Sequence, residues 1–327
     1  MLTDMRRGRW ADDLEHLRRA SREGVISASE LTDLGVPERT VYRRTQQDGP
    51  WTLLLPATLL LSNGEPSFRQ WQIAALVHVA PDGLLTGLGG ARLHGMRRGG
   101  EPEPPHVLVA ESRRVQSSGP TIVERTRRLP RALEREGLPV APLARCLLDH
   151  CRRIKDVDEI AALLTEPVQR RMVLREALVA ELKAASRKGT AAPRRVLRAI
   201  EAGVESPTEF RFYEFWLSLP GLPTVRCNVP IYTLDGRFVA IVDFLVEECG
   251  FVWECDSVEE HFKTPAQVQD TVERARSLRE VGLYVLSTRP TQRRDDPRGV
   301  EADIRHGLAV AASMPTPRVV YGPDQAA

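Results

Sequence analysis

The chain has 327 residues, 28% of them charged and 42% hydrophobic, with 46 Lys and Arg against 44 Asp and Glu and a formal net charge of +2. That length has room for two or three domains with cores of their own. No apolar run reaches the roughly 18 residues that mark a membrane span, and no apolar segment follows Met1-Leu-Thr-Asp-Met-Arg-Arg7, so the expectation is a cytoplasmic protein with no membrane partner. The five cysteines lack any C-x-x-C spacing, which argues against a zinc site and for reduced thiols.

Residues 1–62 read as a winged helix-turn-helix DNA-binding domain. Trp10, Leu14, Leu17 and Ala20 recur at helical spacing. Gly24-Val-Ile26 signals a short strand, and Ser27-Ala-Ser-Glu30 is a capping box opening a helix that stops at Gly35. A third helix runs from Pro37, at its first position, to Asp48. Trp51 to Leu61 then forms an apolar hairpin suited to a wing. The second helix of such a motif enters the major groove, which makes Arg39, Thr40, Arg43 and Arg44 the expected base and phosphate contacts, with Tyr42 toward the backbone.

Residues 63–184 form a middle α/β and helical region. Pro66 to Val79 has helical character, Gly83 to Gly95 is a strand passing into a helix, and Pro105–Ala110 and Thr121–Glu124 are strands. The glycines between 83 and 95 are not followed by Lys-Ser/Thr, so they do not make a phosphate loop. His94 and His106 have no partners at ligand spacing and read as structural. Asp149 and His150 are neighbours on a helix and point apart, which disfavours a catalytic pair. The winged helix followed by Leu84 to Gly95 resembles the AbiEi-type antitoxins of abortive-infection systems, and that resemblance implies DNA binding and repression of an operon. Asp158 to Ala184 is amphipathic and helical. Between Gln169 and Arg198 nine basic residues face only Glu176 and Glu181, a stretch suited either to phosphate contact or to a solvated face. Residues 185–204 read as a linker with a short helix.

Residues 205–315 carry the densest chemistry, and 316–327 read as a tail. Ser206-Pro-Thr-Glu209 caps a helix. Arg226 to Leu234 is a strand, and Asp235-Gly236 turns the chain. Arg237 to Val246 is a second, mostly apolar strand carrying Asp243. After Glu247–Gly250, Phe251 to Asp256 resumes as a third strand. Alternation puts Glu254 and Asp256 on one face, and an antiparallel register would bring Asp243 beside them. Three carboxylates on apolar sheet repel one another unless a cation joins them, and a salt bridge of Asp243 with Arg274 is the structural alternative to a metal. Mg²⁺ or Mn²⁺ suits such oxygen ligands. His261 is the natural general base at neutral pH, and Lys263 could supply positive charge. On the following helix, Gln267, Asp270 and Arg274 share a face, where Asp270 and Arg274 are also spaced as an ion pair.

Asp243-Phe, Glu254-x-Asp256, His261, Arg274 and Gly282 together resemble the very-short-patch-repair-endonuclease-like family of the PD-(D/E)XK, or restriction-endonuclease-like, superfamily, over roughly residues 205–290. The chain departs from that family at Ser257, where Gly is usual, and at Thr271, where Asp is usual. The resemblance implies a restriction-endonuclease-like α/β domain, catalysis by Asp243, Glu254, Asp256 and His261, an approach of Glu209 to the metal, and supporting roles for Gln267, Asp270, Arg274 and Lys263.

The whole therefore reads as a multidomain α+β and α/β protein, a metal-dependent endonuclease directed to double-stranded DNA by its winged helix. The alternative is a non-catalytic DNA-binding antitoxin or repressor of a toxin–antitoxin or phage-defence system, with a toxin or defence protein as partner. A nuclease directed to RNA is a third reading. A homodimer is compatible with each.

Overall fold

A computed structural model describes residues 14–101, 104–256 and 265–322, the side chains of 265–271 excepted. It is a mixed α/β structure with three sheets, divided into two compact units, Met1–Ile154 and Lys155–Ala327. No helix among the described residues is long and apolar enough to cross a membrane.

The first unit begins with α1 (Leu14–Ala20), β1 (Val25–Ser27), α2 (Ala28–Asp33), α3 (Glu38–Arg44), β2 (Thr52–Leu55) and β3 (Thr58–Leu60). The strands form an antiparallel sheet in the order β1-β3-β2. Ser27 and Glu30 make the capping box that starts α2. Leu17, Ile26, Leu31, Val36, Val41, Trp51, Leu59 and Leu61 form one core that ties the helices to the sheet. Two boundaries differ from expectation. Pro37 caps α3 from outside with extended backbone, because its ψ of 138° has not yet turned helical. The helix ends at Arg44 rather than Asp48: Asp48 takes a positive φ of 63°, and the Trp51 N–H turns back onto the Arg44 carbonyl at 3.1 Å.

After α4 (Phe68–Val79), the unit continues through β4 (Leu84–Thr86), α5 (Gly87–Leu93), β5 (His106–Ala110), β6 (Ile122–Thr126), β7 (Leu133–Arg135), β8 (Leu138–Val140) and α6 (Leu143–Cys151). Its second sheet has the order β6-β5-β4-β8-β7. The hairpin β7–β8 buries Leu138 and Val140 on one face, and Glu136 and Gly137 turn it with positive φ. A buried polar network crosses this unit. Asp149 of α6 accepts from Thr86 Oγ1 and Arg145 Nε, both at 2.8 Å. Asp149 and Arg145 are one turn apart on α6, a buried ion pair of about the helical i,i+4 spacing. Reading Asp149 and His150 as a pair that points apart passes over this bond.

The second unit starts with α7 (Val157–Gln169), α8 (Arg175–Ala184), α9 (Ala191–Glu201) and α10 (Pro207–Ser218). The division between units thus falls inside the stretch expected to be one middle region, because α7 packs on α9 and α10 through Ile160, Ala161, Leu163 and Leu164, all fully buried. The short helix expected within 185–204 is α9, and it is packed: Val196, Leu197, Ala199 and Ile200 are buried. Part of the basic stretch around it is engaged within the unit. Arg170 pairs with Glu166 at 2.6 Å, Arg195 pairs with Glu214, and Arg175 is buried near Glu205 at 3.8 Å.

Beyond α10 come β9 (Arg226–Thr233), β10 (Phe238–Val246), β11 (Phe251–Cys255), α11 (Pro265–Glu280), β12 (Tyr284–Thr288), α12 (Pro290–Asp295), α13 (Pro297–Ser313) and β13 (Val319–Tyr321). The sheet has the order β12-β11-β10-β9-β13, antiparallel except where β11 meets β12. The expected tail therefore contributes an edge strand, β13, which pairs with β9 through Val319–Tyr321. Trp253 sits within 4.8–5.9 Å, ring to ring, of Phe212 and Trp216 from α10 and Phe244 from β10. Burial of each such ring contributes about 2–3 kcal/mol, and the cluster fixes β10 and β11 against α10.

Candidate active site

Phe244 pairs with Trp253 in the antiparallel register of β10 and β11. Both rings face α10, so the next cross-strand pair, Asp243 and Glu254, turns to the other face of the sheet. There α11 supplies Arg274. Its Nη2 donates to both Glu254 carboxylate oxygens, at 2.8 and 3.1 Å, and also to the Ile241 carbonyl. Glu254 is 15% exposed against 42% for Arg274, so a buried carboxylate meets a half-open cation. Asp243 Oδ2 accepts the Cys255 backbone N–H at 2.7 Å.

The electrostatics of the pair are unfavourable for two charges. Burial raises Asp243 to about 6, with Glu209 adding to the rise and the Cys255 N–H and Arg274 opposing it. Burial, then repulsion from Asp243, raises Glu254 to about 8 against the pull of Arg274. One guanidinium does not neutralise the two carboxyls. Cys255, between Glu254 and Asp256, is held well above the ordinary thiol range by burial and by Asp243, Glu209 and Glu254, which favours the neutral thiol.

Glu209 is positioned by more than its helix cap. Its own N–H donates to Ser206 Oγ at 3.1 Å, as expected of a cap. Its carboxylate does not close the box on Ser206, however. It accepts the Glu205 N–H at 2.9 Å and Asn228 Nδ2 at 2.6 Å. Asn228 was not foreseen. It lies within β9 at a positive φ of 50° and also donates to the Gly203 carbonyl at 2.9 Å, tying the turn before α10 to the strand beside Asp243. An Asn inside an otherwise apolar strand is the signal that could have found it. Glu205 is a further carboxylate of this neighbourhood, raised by burial and by Glu209 and held back by Arg175 and Arg171.

Asp256 lies just past β11, its N–H donating to the Thr288 carbonyl at 3.0 Å; Thr288 Oγ1 in turn accepts Trp253 Nε1 at 2.8 Å. The expected cluster of Asp243, Glu254 and Asp256 is only partly assembled. Asp243 and Glu254 stand together, but among the described residues no group of three or more His, Cys, Asp or Glu is disposed to hold a metal ion. His261 and Lys263 lie outside the described residues, as do the side chains of Gln267 and Asp270.

On the first unit, Arg39, Tyr42 and Arg43 of α3 are exposed, Tyr42 at 69%, while Thr40 is half-buried. Arg44 is also engaged within the unit. Its guanidinium lies over the Trp51 ring at 4.9 Å and is half-buried, so it joins α3 to the hairpin.

No family model matches the chain, and no curated protein matches it. Among solved structures it is similar to the crystal structure of the RV2827C protein from Mycobacterium tuberculosis, with 15% identity and a TM-score of 0.41 over 60% of this chain and 78% of that one.

Proposed function

We propose that the chain is a metal-dependent, endonuclease-like DNA-binding protein. The observation that carries this reading is the buried carboxylate pair Asp243–Glu254, which one arginine leaves short of positive charge. The order of elements supports it: helix α10, antiparallel β9-β10-β11, helix α11 and parallel β12 is the succession expected of a restriction-endonuclease-like domain. Asp243 and Glu254, with Asp256 beyond the strand end, would hold Mg²⁺ or Mn²⁺, and such an ion polarises a phosphodiester and lowers the pKa of water. This chain's residues would do the rest. Asp243 and Glu254 deliver charge at one point of a rigid sheet, Asn228 keeps Glu209 turned toward them, and Arg274 moves off Glu254 to face phosphate. In the first unit, the helices, strand and hairpin follow the order of a winged helix, whose α3 would present Arg39, Tyr42 and Arg43 to duplex DNA.

A second reading is favoured by one feature. Because Arg274 already pairs with Glu254, the same domain could serve in a repressor or antitoxin without cleaving. Incubating plasmid DNA with the full chain and Mn²⁺ separates the two. The nuclease reading expects nicking that Asp256→Asn removes while DNA binding persists. The repressor reading expects binding without nicking, and no effect of Asp256→Asn.

A further inference from the structure

The first unit carries an open groove that neither the carboxylate site nor α3 uses. It has a volume of about 410 Å³ and is lined by Arg114, Val115, Gln116 and Ser117 together with Val123 and Arg125 of β6. Alternation along β6, an edge strand of its sheet, gives the groove its charge. Val123 and Arg125 share one face of the strand, whereas Glu124 between them points to the other, where its carboxylate lies 3.3 Å from His106 Nε2. No carboxylate is therefore among the lining residues, and both ionisable side chains there, Arg114 and Arg125, are exposed arginines. Glu111, just past β5, is taken by Arg127 at 2.8 Å.

The wall that carries Arg114 is fixed by hydrogen bonds. Arg113 Nη2 donates to the Val79 and Ala80 carbonyls at the end of α4, and His78 Nε2 of α4 donates to the Gln116 carbonyl at 3.1 Å. Ser117 Oγ accepts the Val123 N–H at 3.0 Å, which ties this wall to β6. The two arginines thus project from backbone that is already ordered, and little is lost in ordering it around a ligand. The same segment reaches the hairpin β2–β3. Gly119 lies against β2, where a Cβ on it would be 3.4 Å from Leu55 Cδ2. Trp51, at the start of that hairpin, stacks under Arg44 of α3. Helix α3, the hairpin and the groove wall therefore follow one another as neighbours in one unit.

We infer that this groove holds phosphates of duplex DNA beside the hairpin, extending the contact made by α3. The inference rests on the winged-helix part of the proposed function and not on the carboxylate site. Arginine forks match phosphate oxygens, and contacts of this kind fix a protein on the duplex without reading its sequence. Two cations, no carboxylate and only two apolar side chains, Val115 and Val123, suit a polyanion rather than an apolar partner.

The test measures the salt dependence with which the full chain binds a fluorescent duplex of about three helical turns, without divalent cation. Arg114→Ala combined with Arg125→Ala should lower the log–log slope by about 1.8, two phosphate contacts' worth. The melting curve should not change, because both side chains are exposed. Replacing both with Lys should keep the slope, since counterion release counts charge. Arg127→Ala removes a cation already paired with Glu111 and should move the slope little. A slope unchanged in the double Ala variant, while Arg39→Ala with Arg43→Ala lowers it, overturns the groove and leaves the winged-helix reading standing. The reverse pattern supports the groove and removes α3 from DNA binding. A wild type that binds no duplex overturns both. Polyglutamate held by the wild type and lost in the double Ala variant, with duplex binding the same in the two proteins, would give the groove to an acidic protein segment and overturn the inference.

Discussion

Glu254→Gln should make this protein more stable, and the gain should grow with pH. Glu254 is raised from 4.5 to about 8 in the folded state, chiefly by burial and then by Asp243. A carboxyl raised on folding binds its proton more tightly in the native than in the unfolded chain. Its contribution is therefore full below the ordinary carboxylate range and is lost as pH rises through the folded value. At about 1.4 kcal/mol per pH unit, the wild type would lose about 3 kcal/mol between pH 5 and neutrality on this site alone. Gln keeps the shape and drops the charge, so the variant escapes that loss. Against it stands the Arg274 ion pair, 2.8 Å long and 42% exposed on the arginine side, whose loss returns about 1 kcal/mol. The net gain is about 1–3 kcal/mol at pH 7.5 and close to zero at pH 5. For a unit of this size that is a rise of about 2–10 °C in melting temperature. Urea denaturation of both proteins at pH 5, 6, 7 and 8, without divalent cation, measures it. Parallel curves across that range, or a variant equally destabilised at every pH, would refute the reasoning.

Arg274→Met removes the cation that pairs with Glu254; it should destabilise by about 2–4 kcal/mol at pH 8 and much less at pH 5, read by the same titration. Replacing Arg39 and Arg43 together with Ala should weaken duplex binding and lower the log–log salt slope by about 1.8, two phosphate contacts' worth. Arg44→Ala should leave that slope nearly unchanged but lower stability by about 0.5–1 kcal/mol, because its guanidinium stacks on Trp51. Asn228→Ala should cost about 1–3 kcal/mol through the lost bonds to Glu209 and Gly203. If Glu209 serves the cation, the same change should also weaken Mn²⁺ binding, checked by calorimetry.

Local signals carried much of this architecture. The capping box at Ser27 and Glu30, the apolar run leading to Asp243 and the period-two placement of Glu254 each arise from neighbours in sequence, and each element is where the pattern puts it. What escaped depends on distant partners. Val196, Leu197 and Ile200 look like a short helix after a linker until α7 is seen covering them. Val319-Val-Tyr321 has strand-favouring residues but is too short to stand out until it pairs with β9. Arg274 shows in sequence as a helix-face residue with Asp270 at ion-pair spacing, whereas its hydrogen bonds to Glu254 and Ile241 come from strands some twenty to thirty residues earlier. Asn228 and the network around Glu124 are likewise tertiary, since no spacing rule links residues 86, 124 and 149.

The claim on which the rest depends is that Asp243 and Glu254 form a cation site. Calorimetric titration of Mn²⁺ into the full chain at pH 8, where the pair is most strained, tests it directly. One ion per chain is expected, with a fraction of a proton released on binding because Glu254, raised to about 8, is still partly protonated there, and with the heat lost in Asp243→Asn and in Glu254→Gln. No heat in the wild type, or the same heat in both variants, would contradict it.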